Sequence, residues 1–156
     1  MTHPHLGWAP TPRCDSRTGA AHRRRGAPCQ DASGLWVFAD AAGDPVQVLV
    51  VADGHGGARY VRSEVGSQLA CAVALETVER KLRRCRTGQP GGQAAWQHWL
   101  AQSLPEAIVQ AWRAQVKSHW LAQAGGAEPS DPANPDGSAV AATTTAFSPL
   151  LYGTTL

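Results

Sequence analysis

"VQVLVVADGHGGARYV", residues Val46 to Val61, decides how the rest of the chain is read. A valine-rich apolar run ends on Asp53, and Gly54, His55, Gly56 and Gly57 follow at once. An unbroken run of this kind favours a strand buried on both faces, with helices or a second sheet packed over it. Ending such a strand on an aspartate puts a carboxylate at the edge of the sheet, where ligand sites concentrate. Gly54 lets the backbone turn sharply enough for its carbonyl to face a cation. Gly56 and Gly57 permit close approach of the backbone to a ligand, and the N-terminus of a following helix suits a phosphate. His55 is placed to donate a proton to a leaving oxygen. The plainer alternative is a tight strand-to-helix turn with a solvated histidine and a capping aspartate. For "DG" alone that alternative is the better reading. For "VVADGHGG" with "QDA" (Gln30 to Ala32) upstream, the ligand site is.

Outward from this stretch, "GLWVFAD" (Gly34 to Asp40) reads as a preceding strand, rich in aromatic and β-branched residues. "AAGDP" supplies Gly43 and Pro45 for a turn, so the two strands make a hairpin. From Ala58 to about Arg84 the apolar residues switch to helical spacing, through Val61, Val65, Leu69, Ala72, Val73 and Leu82. Gly88 and Pro90 end that run. Its basic end, with Arg80, Lys81, Arg83, Arg84 and Arg86, suits the carbonyl end of a helix dipole and reads as a solvated face. A second helical region starts near Ala94, with Trp96, Trp99 and Leu100 on one side. "SLPE" (Ser103 to Glu106) then has the form of a fresh helix start, with Ser103 as cap and Glu106 completing a capping box. Ile108, Trp112, Val116 and Trp120 continue at four-residue spacing, an apolar stripe that predicts packing against the sheet. The stretch from Gly125 to Ser138 is a loop of turn-forming residues, and "SPLLYGTTL" leads toward another strand.

Composition narrows the function classes. The 156 residues carry 14 Lys+Arg against 12 Asp+Glu, a formal net charge of +2, too mild a balance to argue for nucleic acid. The N-terminal segment has prolines and polar groups but no apolar core, so it is neither a secretory signal nor a membrane span. Cys14, Cys29, Cys71 and Cys85 form no C-x-x-C pair or compact Cys/His cluster. Free thiols in a reducing cytoplasm fit them better than a disulfide framework or structural zinc, with Cys71 as a small apolar core residue. The glycines lack the G-x-x-x-x-G-K-[ST] and G-x-G-x-x-G spacings of nucleotide binders. A soluble cytoplasmic protein is the expectation.

"CQDA" (Cys29 to Ala32), "VVADGHGG" (Val50 to Gly57) and "YGTT" (Tyr152 to Thr155) together resemble consecutive landmarks of the metal-dependent PPM-type protein phosphatases, the protein phosphatase 2C family. The resemblance runs from about Gly19 to Leu156, after a flexible segment over residues 1–18. It implies an α+β fold, a four-layer α-β-β-α sandwich in which two antiparallel sheets pack together between helices. It also implies a pair of Mn²⁺ or Mg²⁺ ions that activate a bridging water against phosphoserine or phosphothreonine on a protein substrate. By position, Asp53 matches the carboxylate bridging both ions, the carbonyl of Gly54 a second ligand, and Asp31 a ligand on one ion. His55 matches the proposed general acid. Oxygen ligands without thiolates suit Mg²⁺ or Mn²⁺ better than Zn²⁺, in keeping with that assignment.

The chain departs from the family pattern in three places. Gln30 stands where an acidic residue is common. Gly26 stands where the family has its phosphate-binding arginine, so either Arg25 takes that role through a local shift, or Arg23 to Arg25 are a solvated basic strand end. The family's later "DG" and "DN" aspartates have no counterpart, since Asp136-Gly137 lies in a proline-rich loop and reads as a turn. Two divalent ions bring four positive charges, against two negative ones from Asp31 and Asp53. The expectation is therefore the N-terminal part of a phosphatase domain, cut inside an apolar run, with weak metal binding and little turnover of its own. The alternative is a non-catalytic, phosphatase-like module that binds a phosphoprotein or regulatory partner. The oligomeric state is left open.

Overall fold

The computed structural model describes residues 12–39, 45–86, 92–124 and 147–156. A short helix, α1 (Ala20–Arg24), precedes two long strands, β1 (Ala32–Ala39) and β2 (Pro45–Gly54). The long helix α2 (Ser63–Arg86) follows, then α3 (Gln93–His98), a π-helical turn (Trp99–Ser103) and α4 (Leu104–Ala124). A 3-10 turn (Pro149–Tyr152) leads into a two-residue strand, β3 (Thr154–Thr155). The described residues are thus α+β, with an antiparallel three-stranded sheet in the order β1-β2-β3.

The expected hairpin is present, paired from Ala32↔Ala52 to Ala39↔Pro45, one or two residues away from the anticipated strand limits. Its turn, residues 40–44, lies outside the described residues, as do the loop from Gly125 to Ser138 and residues 1–11 of the N-terminal segment. Within residues 12–19, the Ser16 hydroxyl donates to Ser33 Oγ at 2.9 Å, so this segment runs beside the start of β1.

Burial on both faces of β2 is not what the structure shows. Along β2 the residues alternate between covered and exposed. One face carries Val50 and Ala52, which pack with Ala32 against Ala70 and Cys71 of α2. The other face presents Leu49 and Val51, 58% and 73% exposed, beside Val37 of β1. Among the described residues only one layer of helix covers this sheet.

The helical reading of the segment after the glycines holds, but the helix begins later and buries a different stripe. Residues 55–62 form a turn region, and α2 opens at Ser63 rather than Ala58. Val61 is exposed, and Val65 and Leu69 are only half-buried. The buried side is built from small residues: Ser63, Gly66, Ser67, Ala70, Cys71, Ala74 and Thr77, joined by Val73. Small side chains at this spacing let the sheet and a neighbouring helix come close on either side of α2. At Gly66 the approach is so tight that an added Cβ would lie 2.0 Å from the Tyr152 carbonyl oxygen. Cys71 fills the expected core position. Burial, and secondarily the thiol of Cys14, pushes its thiol pKa upward, which suits an inert packing role.

The second correction concerns "SLPE". No fresh helix starts there. The chain runs from Gln93 to Ala124 as one helical rod, and Ser103 closes a π-helical turn with helical dihedrals at the Leu104 that follows. Pro105 explains the interruption. Proline cannot donate to the carbonyl four residues back, and its ring crowds that carbonyl. A π turn immediately before it widens the backbone and relieves the clash. The third correction follows from the same rod. The tryptophan stripe packs mainly on α2 rather than on the sheet: Trp112 Nε1 donates to the Gly66 carbonyl at 2.9 Å, and Val116 is completely buried. At the other end Lys81 of α2 lies 5.6 Å above the Trp99 ring. The two contacts fix an antiparallel α2/α4 pair.

Candidate active site

β2 and β3 meet at the residues singled out in the sequence. Asp53 pairs with Thr155 and Gly54 with Thr154, so the end of the apolar strand is held by the last residues of the chain. The Thr154 hydroxyl donates to the Asp53 carbonyl at 3.0 Å, and the His55 amide donates to the Gly153 carbonyl at 3.0 Å. This clamps the backbone on both sides of Gly54 and leaves the Asp53 side chain exposed.

Gly54 itself is buried and has no room for a side chain. An added Cβ would stand 2.2 Å from the Gln30 carbonyl oxygen, because the chain entering β1 crosses directly over it. That crossing is held in turn by α2, whose Ser67 hydroxyl donates to the same Gln30 carbonyl. Asp31 follows immediately and is exposed. The β1/β2 register, which pairs Ala32 with Ala52, places Asp31 opposite Asp53 when continued by one step. Residues opposite each other in an antiparallel pair share a face, so both carboxylates belong to the open side of the sheet end. No hydrogen bond or ion pair engages either carboxylate among the described residues, which leaves both available to a cation.

His55 is exposed and engaged at one edge of its ring. Its Nε2 lies 3.2 Å from the Thr155 hydroxyl. Its Nδ1 edge faces Gly153, where a Cβ would come to 2.7 Å. The Tyr60 ring flanks it at a centroid distance of 5.0 Å, and the Arg59 guanidinium sits 5.7 Å from the Tyr60 ring centroid. The helix N-terminus expected beside this turn is displaced to Ser63, so α2 does not start directly on the Asp53 turn.

Arg25 is not brought in with the others. It caps the end of α1, exposed, and no hydrogen bond or ion pair among the described residues ties it to Asp31, Asp53 or His55. The oxygen donors that are present, two carboxylates and a cradled backbone, have the chemistry of a site for a hard divalent cation. They are few, however, and no group of three or more His, Cys, Asp or Glu side chains occurs among the described residues.

The residues to which the sequence assigned no part in shaping this end of the sheet are Thr155, Thr154, Tyr60, Gln30 and Ser67. Thr155 and Thr154 lay inside "YGTT", but their link to His55 and Asp53 spans about a hundred residues and no local spacing encodes it. Gln30 counted only as a missing charge, whereas its backbone is what shapes Gly54.

A family model described as "Protein phosphatase 2C" matches residues 18–156. No curated protein and no solved structure gives a significant match to the chain.

Proposed function

Since the chain belongs to the protein phosphatase 2C family, we propose that it acts in hydrolysis of phosphoserine and phosphothreonine on protein substrates, with Mn²⁺ or Mg²⁺ held at the Asp53 end of β2. The observation that carries this reading is the convergence of unengaged carboxylates and an oriented histidine at one sheet end. Asp53 and Asp31, with the Gly54 carbonyl, would hold the metal. Bound there, a divalent ion supplies a water of lowered pKa and a counter-charge for the phosphoryl oxygens.

The chain's own residues do the rest. The ladder from Asp53 to Thr155 and the Gln30 crossing keep the ligand backbone rigid, so the carboxylates need little reorganisation when a cation arrives. His55 delivers a proton from Nε2 to the departing seryl or threonyl oxygen, which takes the place of the Thr155 hydroxyl at that nitrogen, while Tyr60 flanks the ring. Arg25 remains the candidate phosphate contact only if the segment between α1 and β1 moves toward Asp53. The open apolar face with Val37, Leu49 and Val51 is where the second sheet of a four-layer sandwich would pack. No helix among the described residues is long and apolar enough to cross a membrane, and the proposed setting is the cytoplasm.

The test is release of phosphate from a phosphothreonine peptide with and without Mn²⁺. The reading expects slow turnover, in keeping with the few metal ligands present, that a chelator removes and that Asp53→Asn abolishes. In His55→Gln, loss should be about 10²- to 10⁴-fold on the peptide, and much smaller on p-nitrophenyl phosphate, whose leaving group needs no proton. Metal-independent activity, or activity indifferent to Asp53→Asn, would overturn it.

A further inference from the structure

Tyr152 joins two parts of the molecule that the site's own residues do not connect. It is completely buried. Its hydroxyl lies 2.7 Å from Nδ1 of His119 on α4, with the two rings edge-on at 5.6 Å. Just before it, the Leu151 carbonyl accepts from the Arg62 amide at 2.9 Å. Its own carbonyl rests against Gly66, leaving no space for a Cβ. The next residue, Gly153, accepts from the His55 amide, and Thr155 meets His55 Nε2. Residues 151–155 therefore form a strap whose buried end is held by the helices and whose exposed end holds His55.

We propose that His119 is a positioning residue: through Tyr152 it fixes the depth of this strap, and thereby the place where Gly153 and Thr155 hold His55. The functional consequence rests on the reading of His55 and Asp53 as a catalytic site, but the mechanical link does not. A buried hydroxyl needs a partner. His119 is assigned the Nε2–H tautomer, in which Nδ1 accepts from the Tyr152 hydroxyl and Nε2–H donates to the Gln123 side-chain amide turned with its oxygen toward the ring. Among the described residues, the groups that face His119 are the Tyr152 hydroxyl from the 3-10 turn, the Arg62 guanidinium from just before α2, and Gln123 from its own helix. Arg62 lies 5.0 Å over the Trp120 ring and 6.0 Å from the Tyr152 ring. Burial, and then the charge of Arg62, holds the imidazole below the ordinary histidine range, so it is neutral at neutral pH. In acid, Nδ1 takes a proton and can no longer accept. The Tyr152 hydroxyl must then turn, beside a second cation, and the strap loosens.

The experiment is a pH titration of the isotope-labelled chain followed by NMR. The amides of His55, Gly153 and Thr155 should shift with the same midpoint as the His119 ring, below that of an exposed histidine. In Tyr152→Phe that component should vanish from the three amides. His119→Asn, which keeps an acceptor near the Nδ1 position, should hold the three amides at their wild-type shifts without the pH step, while His119→Leu should displace them. If a variant fails to fold, the wild-type titration decides alone: amides at His55, Gly153 and Thr155 that ignore the His119 midpoint overturn the proposal. No turnover is needed for any of these readouts. A chain without phosphatase activity but with the coupled titration would refute the catalytic reading and leave the strap standing.

Discussion

At Gly54 a single hydrogen atom in place of a side chain decides whether the carboxylate end of β2 can form. The Gln30 carbonyl occupies the space that a Cβ would take, and Ser67 holds that carbonyl in place. Gly54→Ala must push the crossing chain outward, an overpacking that costs about 1 to 3 kcal/mol, measurable as a lowered urea midpoint. A wild-type midpoint would mean that the crossing is loose. His119 makes a second prediction, on pH. Its folded-state pKa is depressed by burial and by Arg62, against about 6.5 in the unfolded chain. Above that value both states are neutral and stability does not depend on this group. As the pH falls below it, the unfolded chain takes up a proton that the folded one refuses, so stability declines until the depressed folded value is passed. The difference in urea midpoint between wild type and His119→Asn should therefore change across this window and be flat above it. The end of β2 at Asp53 and Gly54, with His55 just beyond, was legible in the sequence because an apolar run stopping on a carboxylate among glycines marks a strand end. Arg25 lacked such a local mark, and the structure leaves it apart. Thr155 was not legible as a partner of His55, because a contact across about a hundred residues leaves no trace in spacing, and Tyr60, in the same turn as His55, carries no motif that marks its ring contact.

The helices show where periodicity informs and where it misleads. Spacing alone located α2 and α4, yet the side of α2 that is buried belongs to serine, glycine, alanine and cysteine rather than to the larger aliphatics. Close helix–sheet and helix–helix approach selects for small volume, and a hydrophobicity pattern does not see volume. The "SLPE" signal failed for a related reason. Its serine, proline and glutamate fit a helix start equally well as a π turn inside a continuing helix, and packing of the rod along α2, from Trp99 to Trp112, chose the second. Val116, completely buried where α4 meets the rest of the molecule, gives the prediction at this scale. Val116→Ala should lower stability by about 2 kcal/mol through lost burial and the cavity left behind, without altering helix content by circular dichroism. A loss below about 0.5 kcal/mol, the size of an ordinary surface change, would show that the α2/α4 contact is not a packed core.

Over the whole molecule, the sheet is the frame and its two faces have different standing. One face, with Ala32, Val50 and Ala52, is packed on α2. The other shows Val37, Leu49 and Val51 in the open. The α+β class was legible because one stretch alternates with strand chemistry and the rest repeats at helical spacing. The apolar run of β2 pointed to cover on both faces, and the described residues supply it on one. What organises the proposed site is that the first hairpin and residues 153–155 converge on a single sheet end, where Asp53, Gly54 and His55 meet the strap and Asp31 lies one register step beyond the Ala32–Ala52 pair. Paramagnetic broadening by Mn²⁺, mapped residue by residue on the isotope-labelled chain, tests this most directly. The account predicts that substoichiometric Mn²⁺ broadens Asp31, Asp53, Gly54 and their neighbours first, and that Asp53→Asn removes the effect. Broadening centred on another carboxylate group, such as Glu76 and Glu79 of α2, with the Asp53 end untouched, would contradict it.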